Sequence, residues 1–258
     1  MRAKKSFGQH FLKHPEIAQR IADALSGEGL EGRVLEVGPG KGILTRCLVE
    51  RFPHFKAIEA DQDMVTWLYH EHPAWRDHIL EGDFLQLDLN QLFEERPFAL
   101  IGNFPYNISS QILFRMLQHR HLIPEMAGMF QKEVARRIIA PPGNKEYGIL
   151  SVLTQAWYEG KYLFTVSRES FAPPPKVLSG VIYLRRKSDP DPIFEDPFFV
   201  QIVKTAFGQR RKMLRNTLRS LVHDPAMLEA PVMSLRPEQL DLNAFKSLTE
   251  WLHPSNNS

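Results

Sequence analysis

The sequence predicts an α/β fold: a doubly wound, mostly parallel sheet with helices on both faces, followed by a small all-helical domain. Three observations carry this. Short apolar runs alternate with amphipathic helical runs through about the first 130 residues, which is the pattern of a parallel sheet. Two later apolar runs, within 161–186, have only a loop between them and read as an antiparallel hairpin at the end of that sheet. After Arg186 the chain enters "KSDPDPIFEDP", a Pro- and Asp-rich linker, and the remainder is helical in pattern. The expected domains are 1–187 and 188–258.

The elements follow in order. "PEIAQRIADAL" (15–25) spaces Ile17, Ile21, Ala24 and Leu25 for a helix started by Pro15. "RVLEVG" (33–38) is a buried strand, "ILTRCLVERF" (43–52) a helix and "FKAIEA" (55–60) a strand. "DQDMVTWLYHEH" (61–72) is a helix opened by an Asp61 cap. "HILEGDF" (78–84) and "FALIGNF" (98–104) are short strands, and "SSQILFRMLQH" (109–119) is a helix. "MAGMFQ" (126–131) is a strand leading into the helix "KEVARRIIA" (132–140). A loop, "PPGNKEYG" (141–148), precedes the helix "ILSVLTQAWY" (149–158), and "KYLFTVSR" and "VLSGVIYLRR" are the two late strands.

Composition narrows the class. Hydrophobic content of 43% and charge of 24% are those of a soluble globular protein, and a net charge of +2 identifies no partner. The single cysteine, Cys47, forms neither an internal disulfide nor a zinc knuckle and fits a reducing cytoplasm. The opening "MRAKKSFGQHFLK" has no signal-peptide core, and no apolar run reaches membrane-spanning length. The ten histidines are scattered without H-E-x-x-H spacing. The expectation is a cytoplasmic monomer that uses neither membrane nor metal.

The chemistry-bearing residues fall at strand ends. "LEVGPGKGILT" (35–45) is a strand, a Gly-rich turn and a helix, with Gly38, Gly40 and Gly42 spaced G-x-G-x-G. A dinucleotide site wants G-x-G-x-x-G, so a ligand without a pyrophosphate fits better. Glu59, 21 residues past Gly38, ends the next strand, where an acid binds ribose hydroxyls. Asp83 ends the third and is placed to accept from an adenine amine. A Gly turn, a ribose acid and an adenine acid without a phosphate clamp match S-adenosylmethionine.

"NFPYNIS" (103–109) ends the fourth strand. Pro105 stops the ladder and holds Phe104 extended, which sets an amide, an apolar group and a phenol on a stiff turn. Such a turn suits a flat, polar guest. An exocyclic adenine amine is a poor nucleophile because its lone pair is delocalised. The Asn103 side-chain oxygen and the Phe104 carbonyl can hold its hydrogens and favour a pyramidal nitrogen, while Tyr106 stacks on an extruded base.

Asn103-Phe104-Pro105-Tyr106 resembles the Asn/Asp-Pro-Pro-Tyr motif of adenine-amine methyltransferases, and in this form the ribosomal RNA adenine dimethyltransferases. "KKSFGQHFL" (4–12), "QKEVARRI" (131–138), "FAPPPKVLSG" (171–180) and "AFGQRRKMLRNTL" (206–218) are similar to segments of the bacterial small-subunit enzymes, in the same order along nearly the whole chain. The resemblance implies the Rossmann-like class I methyltransferase fold. It also implies S-adenosylmethionine as cofactor and dimethylation of two adjacent adenines near the 3′ end of 16S rRNA in the assembling small subunit. It further implies cofactor contacts at His10, Leu12, Gly38, Gly40, Glu59, Asp83 and Asn103, with Phe171 flanking the target base opposite Tyr106. His10 stands where the family often has Asn, an amide that can both donate and accept.

Between Asp196 and Asp224 the chain has no acid, but it has Lys204, Arg210, Arg211, Lys212, Arg215 and Arg219. Arg211, Arg215 and Arg219 recur every four residues, so a continuous helix would present them on one face beside Leu214, Leu218 and Leu221. Lys4 and Lys5, with Arg2 and Lys13, form a second basic cluster. Both are expected to meet RNA phosphates. Three other readings compete: the large-subunit dimethylase that gives antibiotic resistance, a non-catalytic assembly factor on the same fold, and a DNA adenine methylase.

Overall fold

The computed structural model describes Lys4 and residues 8–254. It divides into two compact units. The first holds the described residues up to Ala135 and Gly160–Arg186. In chain order it runs through β1 (Phe11–Leu12), α1 (Pro15–Ala22), β2 (Arg33–Val37), α2 (Thr45–Leu48) and β3 (His54–Glu59). It continues through α3 (Gln62–Glu71), β4 (Ile79–Glu81), α4 (Leu89–Leu92), β5 (Ala99–Asn103), α5 (Ser109–Gln118), β6 (Glu125–Gln131) and the start of α6 (Lys132–Ile139). Most of β7 (Tyr158–Val166), then β8 (Phe171–Ala172) and β9 (Ser179–Arg186), complete it.

Seven strands form one sheet in the order β4-β3-β2-β5-β6-β9-β7. The neighbours from β4 to β6 pair in parallel, and β9 pairs antiparallel with β6. Every residue of β2 and the first six of β6 are buried, as expected for strands covered on both faces. The fold is thus the expected Rossmann-like methyltransferase sheet. Its registers align Val37 with Ile58, Glu59 with Glu81 and Asn103 with Met129. That alignment brings the carboxyl ends of β2, β3, β4 and β5 to one edge, where open α/β sheets bind ligands.

Two local features differ from the expected pattern. Helix α2 covers four residues rather than the whole of 43–52; Pro53 disfavours helical backbone at Phe52. The Phe11–Leu12 strand has no signal in periodicity: it pairs antiparallel with β8, Phe11 opposite Ala172 and Leu12 opposite Phe171.

The second unit contains residues 136–159 and 187–254, so the expected division at 187/188 needs correction. Residues 136–159, read from sequence as part of the first domain, belong with the C-terminal helices. Within them, α7 (Ile149–Trp157) buries Leu150, Val152, Leu153, Ala156 and Trp157. It packs on α8 (Pro197–Gly208) and α10 (Leu242–Leu252). The Trp157 ring stands edge-on to Phe194, and the Tyr147 ring to Phe207. Hydrophobic periodicity identifies such a helix but not its partner.

The continuous arginine-bearing helix is also absent. Helix α8 ends at Gly208, and Met213 is extended (φ −68°, ψ 154°). The next helix, α9 (Leu214–Thr217), has four residues, and Arg219 opens a separate 3-10 turn. Arg211, Arg215 and Arg219 therefore sit on three different pieces of backbone. Leu214 and Leu218 are fully buried, as their spacing implied.

Candidate active site at the carboxyl ends of the strands

The turn after β2 is built for close approach. Gly38 donates its N–H to the Ile58 carbonyl at 2.9 Å. Gly40 has φ of 54°, and a Cβ there would meet the Phe11 ring at 3.1 Å, so both conformation and space call for glycine. Its N–H donates to Glu59 Oε2 at 3.1 Å, while Asp61 N–H donates to Glu59 Oε1 at 3.0 Å. Glu59 is buried at the end of β3, and burial raises its carboxyl above the ordinary range against these backbone hydrogen bonds. Asp83, past the end of β4, is exposed and accepts from Leu85 N–H at 2.9 Å.

The Asn103-Phe104-Pro105-Tyr106 turn closes the same cavity. Asn103 Nδ2 donates to the His10 carbonyl at 3.0 Å. With its nitrogen so held, the amide offers Oδ1 as its acceptor. The Tyr106 hydroxyl shares a hydrogen bond with Ser179 Oγ at 2.5 Å. The His10 ring lies 5.4 Å from the Tyr106 ring, and its Nδ1 donates to the Pro173 carbonyl at 2.8 Å. His10 thus touches both ends of the turn, Asn103 through its backbone and Tyr106 through its ring.

One cavity is lined by His10, Leu12, Gly38, Gly40, Glu59, Asp83, Asn103, Phe104, Pro105 and Tyr106. Its described lining has Glu36, Glu59 and Asp83 as carboxyl groups and Lys41 as its one Lys or Arg. That donor set is wrong for a pyrophosphate and right for a cationic nucleoside with free hydroxyls. The residues present fit S-adenosylmethionine. Among the described residues, no group of three or more His, Cys, Asp or Glu is placed to hold a metal ion, and no helix is long and apolar enough to cross a membrane.

Glu36 is a cavity residue that the sequence reading did not single out. Its one signal is an acid inside the wholly buried strand β2. Thr45 Oγ1 donates to its Oε2 at 2.7 Å. Burial pushes its carboxyl from 4.5 up to about 8, and the charge on Glu59 pushes the same way. The folded protein therefore holds a proton on Glu36 that the unfolded chain releases near pH 4.5. This contribution to stability is full below about pH 4.5 and is lost as pH rises toward about 8. Urea unfolding at pH 5 and pH 8 should accordingly show a smaller loss of stability for Glu36→Gln than for the parent. Equal losses would mean that Glu36 does not titrate in that window.

Other expected site residues are placed differently. Phe171 does not line the cavity; it is 1% exposed and packs in the core with Leu12, its partner across β1 and β8. Leu12 itself lines the cavity, so Phe171 stands directly behind that part of the wall. Lys4 pairs with Asp61 and Asp63 rather than standing clear for phosphates, and Lys5 lies outside the described residues. Arg210 donates to Glu238 and to the Asn144 carbonyl, which ties two loops of the second unit together. Arg211, Lys212 and Arg215 are exposed.

Known proteins match over nearly the full length. The profile of the family described as "Ribosomal RNA adenine dimethylase" matches residues 1–248. The "Ribosomal RNA small subunit methyltransferase A" of Flavobacterium johnsoniae is 50% identical over 250 residues, covering 97% of this chain and 95% of that protein. Its counterpart from Porphyromonas gingivalis is 51% identical over 253 residues, covering 96% and 97%. Among solved structures, a dimethyladenosine transferase from Plasmodium falciparum superposes with a TM-score of 0.76 at 26% identity, covering 94% of this chain and 97% of that one. The 23S rRNA methyltransferase ErmE gives a TM-score of 0.67 at 27% identity, covering 93% and 99%.

Proposed function

The chain belongs to the ribosomal RNA adenine dimethylase family, with the bacterial small-subunit enzymes of the RsmA/KsgA type, and from that premise we propose its substrate and the roles of its residues. The family activity is S-adenosylmethionine-dependent dimethylation of adenine in ribosomal RNA. The specific reading is transfer of two methyl groups to each of two adjacent adenines near the 3′ end of 16S rRNA, within the assembling small subunit. One observation carries it: the Asn103–Tyr106 turn, Glu59, Asp83 and the Gly38–Gly40 turn line a single cavity.

S-adenosylmethionine, when bound, supplies a methyl group on a positively charged sulfur. Glu59 and Asp83 would hold its ribose hydroxyls and adenine amine, and Gly38 and Gly40 leave room for it. Asn103 Oδ1 and the Phe104 carbonyl accept the hydrogens of the target amine, and Tyr106 stacks on the flipped base. The N–C bond forms as the C–S bond breaks. Methylation makes the amine acidic, so water takes its proton and no strong base is needed.

Glu59→Gln keeps an acceptor for one of the two backbone donors, Gly40 N–H or Asp61 N–H, sets an amide nitrogen against the other and removes the charge. Losing a charge-assisted contact to ribose should weaken cofactor binding by about 1.5–3 kcal/mol in calorimetry with the fold intact. Parent-like affinity would remove Glu59 from the cofactor site.

RNA affinity is assigned to Arg211, Lys212 and Arg215, which stand exposed in an acid-free stretch. Reversing Arg211 and Arg215 to Glu should weaken subunit binding and flatten its salt dependence, because fewer counterions are released. Unchanged salt slopes would count against this surface. The single cysteine supports a cytoplasmic location.

The decisive experiment is methyl transfer from labelled cofactor to undermethylated small subunits, naked 16S rRNA and large subunits, with the modified bases mapped. Dimethyladenine confined to the small subunit is the expected outcome. Label in 23S rRNA would favour the large-subunit reading that the likeness to ErmE keeps open. Cofactor binding without turnover on any RNA would favour an assembly factor.

A further inference from the structure

Phe104 is the apolar member of a turn otherwise made for polar chemistry, and the sheet leaves a slot for its ring. The residue is 1% exposed. Its ring lies against Gly102 of β5 and Gly128 of β6, which are direct register partners on adjacent strands. A Cβ built on Gly128 would fall 2.1 Å from Phe104 Cε2 and 2.8 Å from Cδ2. One built on Gly102 would fall 2.9 Å from Cε1 and 3.0 Å from Cδ1. Neither glycine has a positive φ, so backbone conformation does not explain them. Glycine inside a strand weakens it and marks a close approach; at Gly128 the approaching group is the Phe104 ring, and at Gly102 it is that ring together with the Val37 carbonyl oxygen, 2.8 Å from a built Cβ.

The rest of the seat is equally defined. Phe104 N–H donates to the Met129 carbonyl at 3.1 Å, and the Phe130 ring centroid stands 5.0 Å away. The residue before Phe104 is Asn103, held to His10 at 3.0 Å, and two residues after it is Tyr106, held to Ser179. The turn is pinned at both sides and anchored in the middle.

We propose that the Gly102–Gly128 pair sets the depth at which the turn sits, and that Gly128 is thereby a positioning residue for methyl transfer. A Cβ at Gly128 displaces the ring by more than an ångström if ordinary contact is to be restored, since the clash is at 2.1 Å. The turn must then move with the ring, and misplacement by about 1 Å at a reacting centre costs on the order of 100-fold in rate. Gly128 does not line the cavity, so its effect runs through Asn103 and Tyr106. The activity readout rests on the function proposed above; the structural readout does not.

The test is Gly128→Ala, alone and with Phe104→Leu, which removes Cε2, the atom in the severest clash, and Cζ, and leaves a flexible branch in place of the rigid ring. The measurements are single-turnover methylation of small subunits, cofactor affinity by calorimetry, and the NMR signal of the Asn103 side-chain amide, assigned by its loss in Asn103→Ala. The expected result for Gly128→Ala is transfer slowed at least about tenfold, cofactor affinity near the parent value and a shifted Asn103 amide signal. Adding Phe104→Leu should return the signal and recover rate. A parent-like signal and rate in Gly128→Ala, or no recovery in the double variant, overturns the proposal. If Gly128→Ala does not fold, a folded double variant with the parent Asn103 signal supports the seat and an unfolded one overturns it. A parent enzyme that methylates no ribosomal RNA would refute the function, and the amide signal would still decide the seat.

Discussion

Asn103→Ala is expected to slow methyl transfer about 100- to 1,000-fold, the range for removing one hydrogen-bonding group aimed at a reacting centre. The amide is oriented before substrate arrives, because Nδ2 is held by the His10 carbonyl. Its oxygen strengthens the bond to the amine as the nitrogen becomes pyramidal, so the loss falls on the transition state more than on binding. RNA affinity should change modestly, since much of it comes from phosphate contacts elsewhere. The second methyl transfer should respond differently from the first, because a monomethylated amine has one hydrogen left for two acceptors. Single-turnover methylation of undermethylated small subunits, with mono- and dimethyladenine resolved by mass spectrometry, reads both effects. A parent-like rate and product ratio would mean that Asn103 only shapes the turn.

Phe171→Ala should act first on stability. The buried ring packs with Leu12 beneath the segment whose residues 8–12 line the cavity. Truncating a buried Phe costs about 3–5 kcal/mol, visible as a lower urea midpoint with an unchanged slope. Cofactor affinity should fall with it as the β1–β8 pairing loosens. An unshifted midpoint together with weaker capture of a 2-aminopurine-labelled target would instead return Phe171 to the face of the flipped base.

Much of the cavity was legible because its residues stand at strand ends, and strand ends are marked by local chemistry. Gly38, Glu59, Asp83 and Asn103 each follow an apolar run, and parallel pairing then brings them to one edge. What periodicity could not supply were contacts across long sequence separations. Glu36 shows only as an acid in an apolar strand, and its distance to the cavity depends on tertiary structure. The burial of Phe171 beside Leu12 goes with a pairing that a two-residue strand does not announce. The arginine series failed for a local reason: the i, i+4 argument assumes unbroken helix, and the chain stops one at Gly208 and starts another after an extended Met213. The motif points to the Phe104 carbonyl as an acceptor but gives no sign of where its ring goes, because the ring's neighbours Gly102 and Gly128 lie on two strands brought together only by the fold.

The pairing of β1 with β8 has a consequence for how the enzyme is made. His10 and Pro173 are 163 residues apart in sequence, yet a hydrogen bond joins them. A growing chain that ends short of Phe171 offers Phe11 and Leu12 no strand to pair with, even when the five parallel strands from β2 to β6 have all been synthesised. Closing so long a loop is entropically slow, so the parallel strands can form before their N-terminal wall is in place. Phe11 and Leu12 gain their strand partner only with the arrival of Phe171 and Ala172, although Gln9 and His10 already have partners in Asp61 and Asn103. A prematurely terminated product would carry the glycine turn and Asn103 without the strand that pairs with the Phe11–Leu12 side of their cavity.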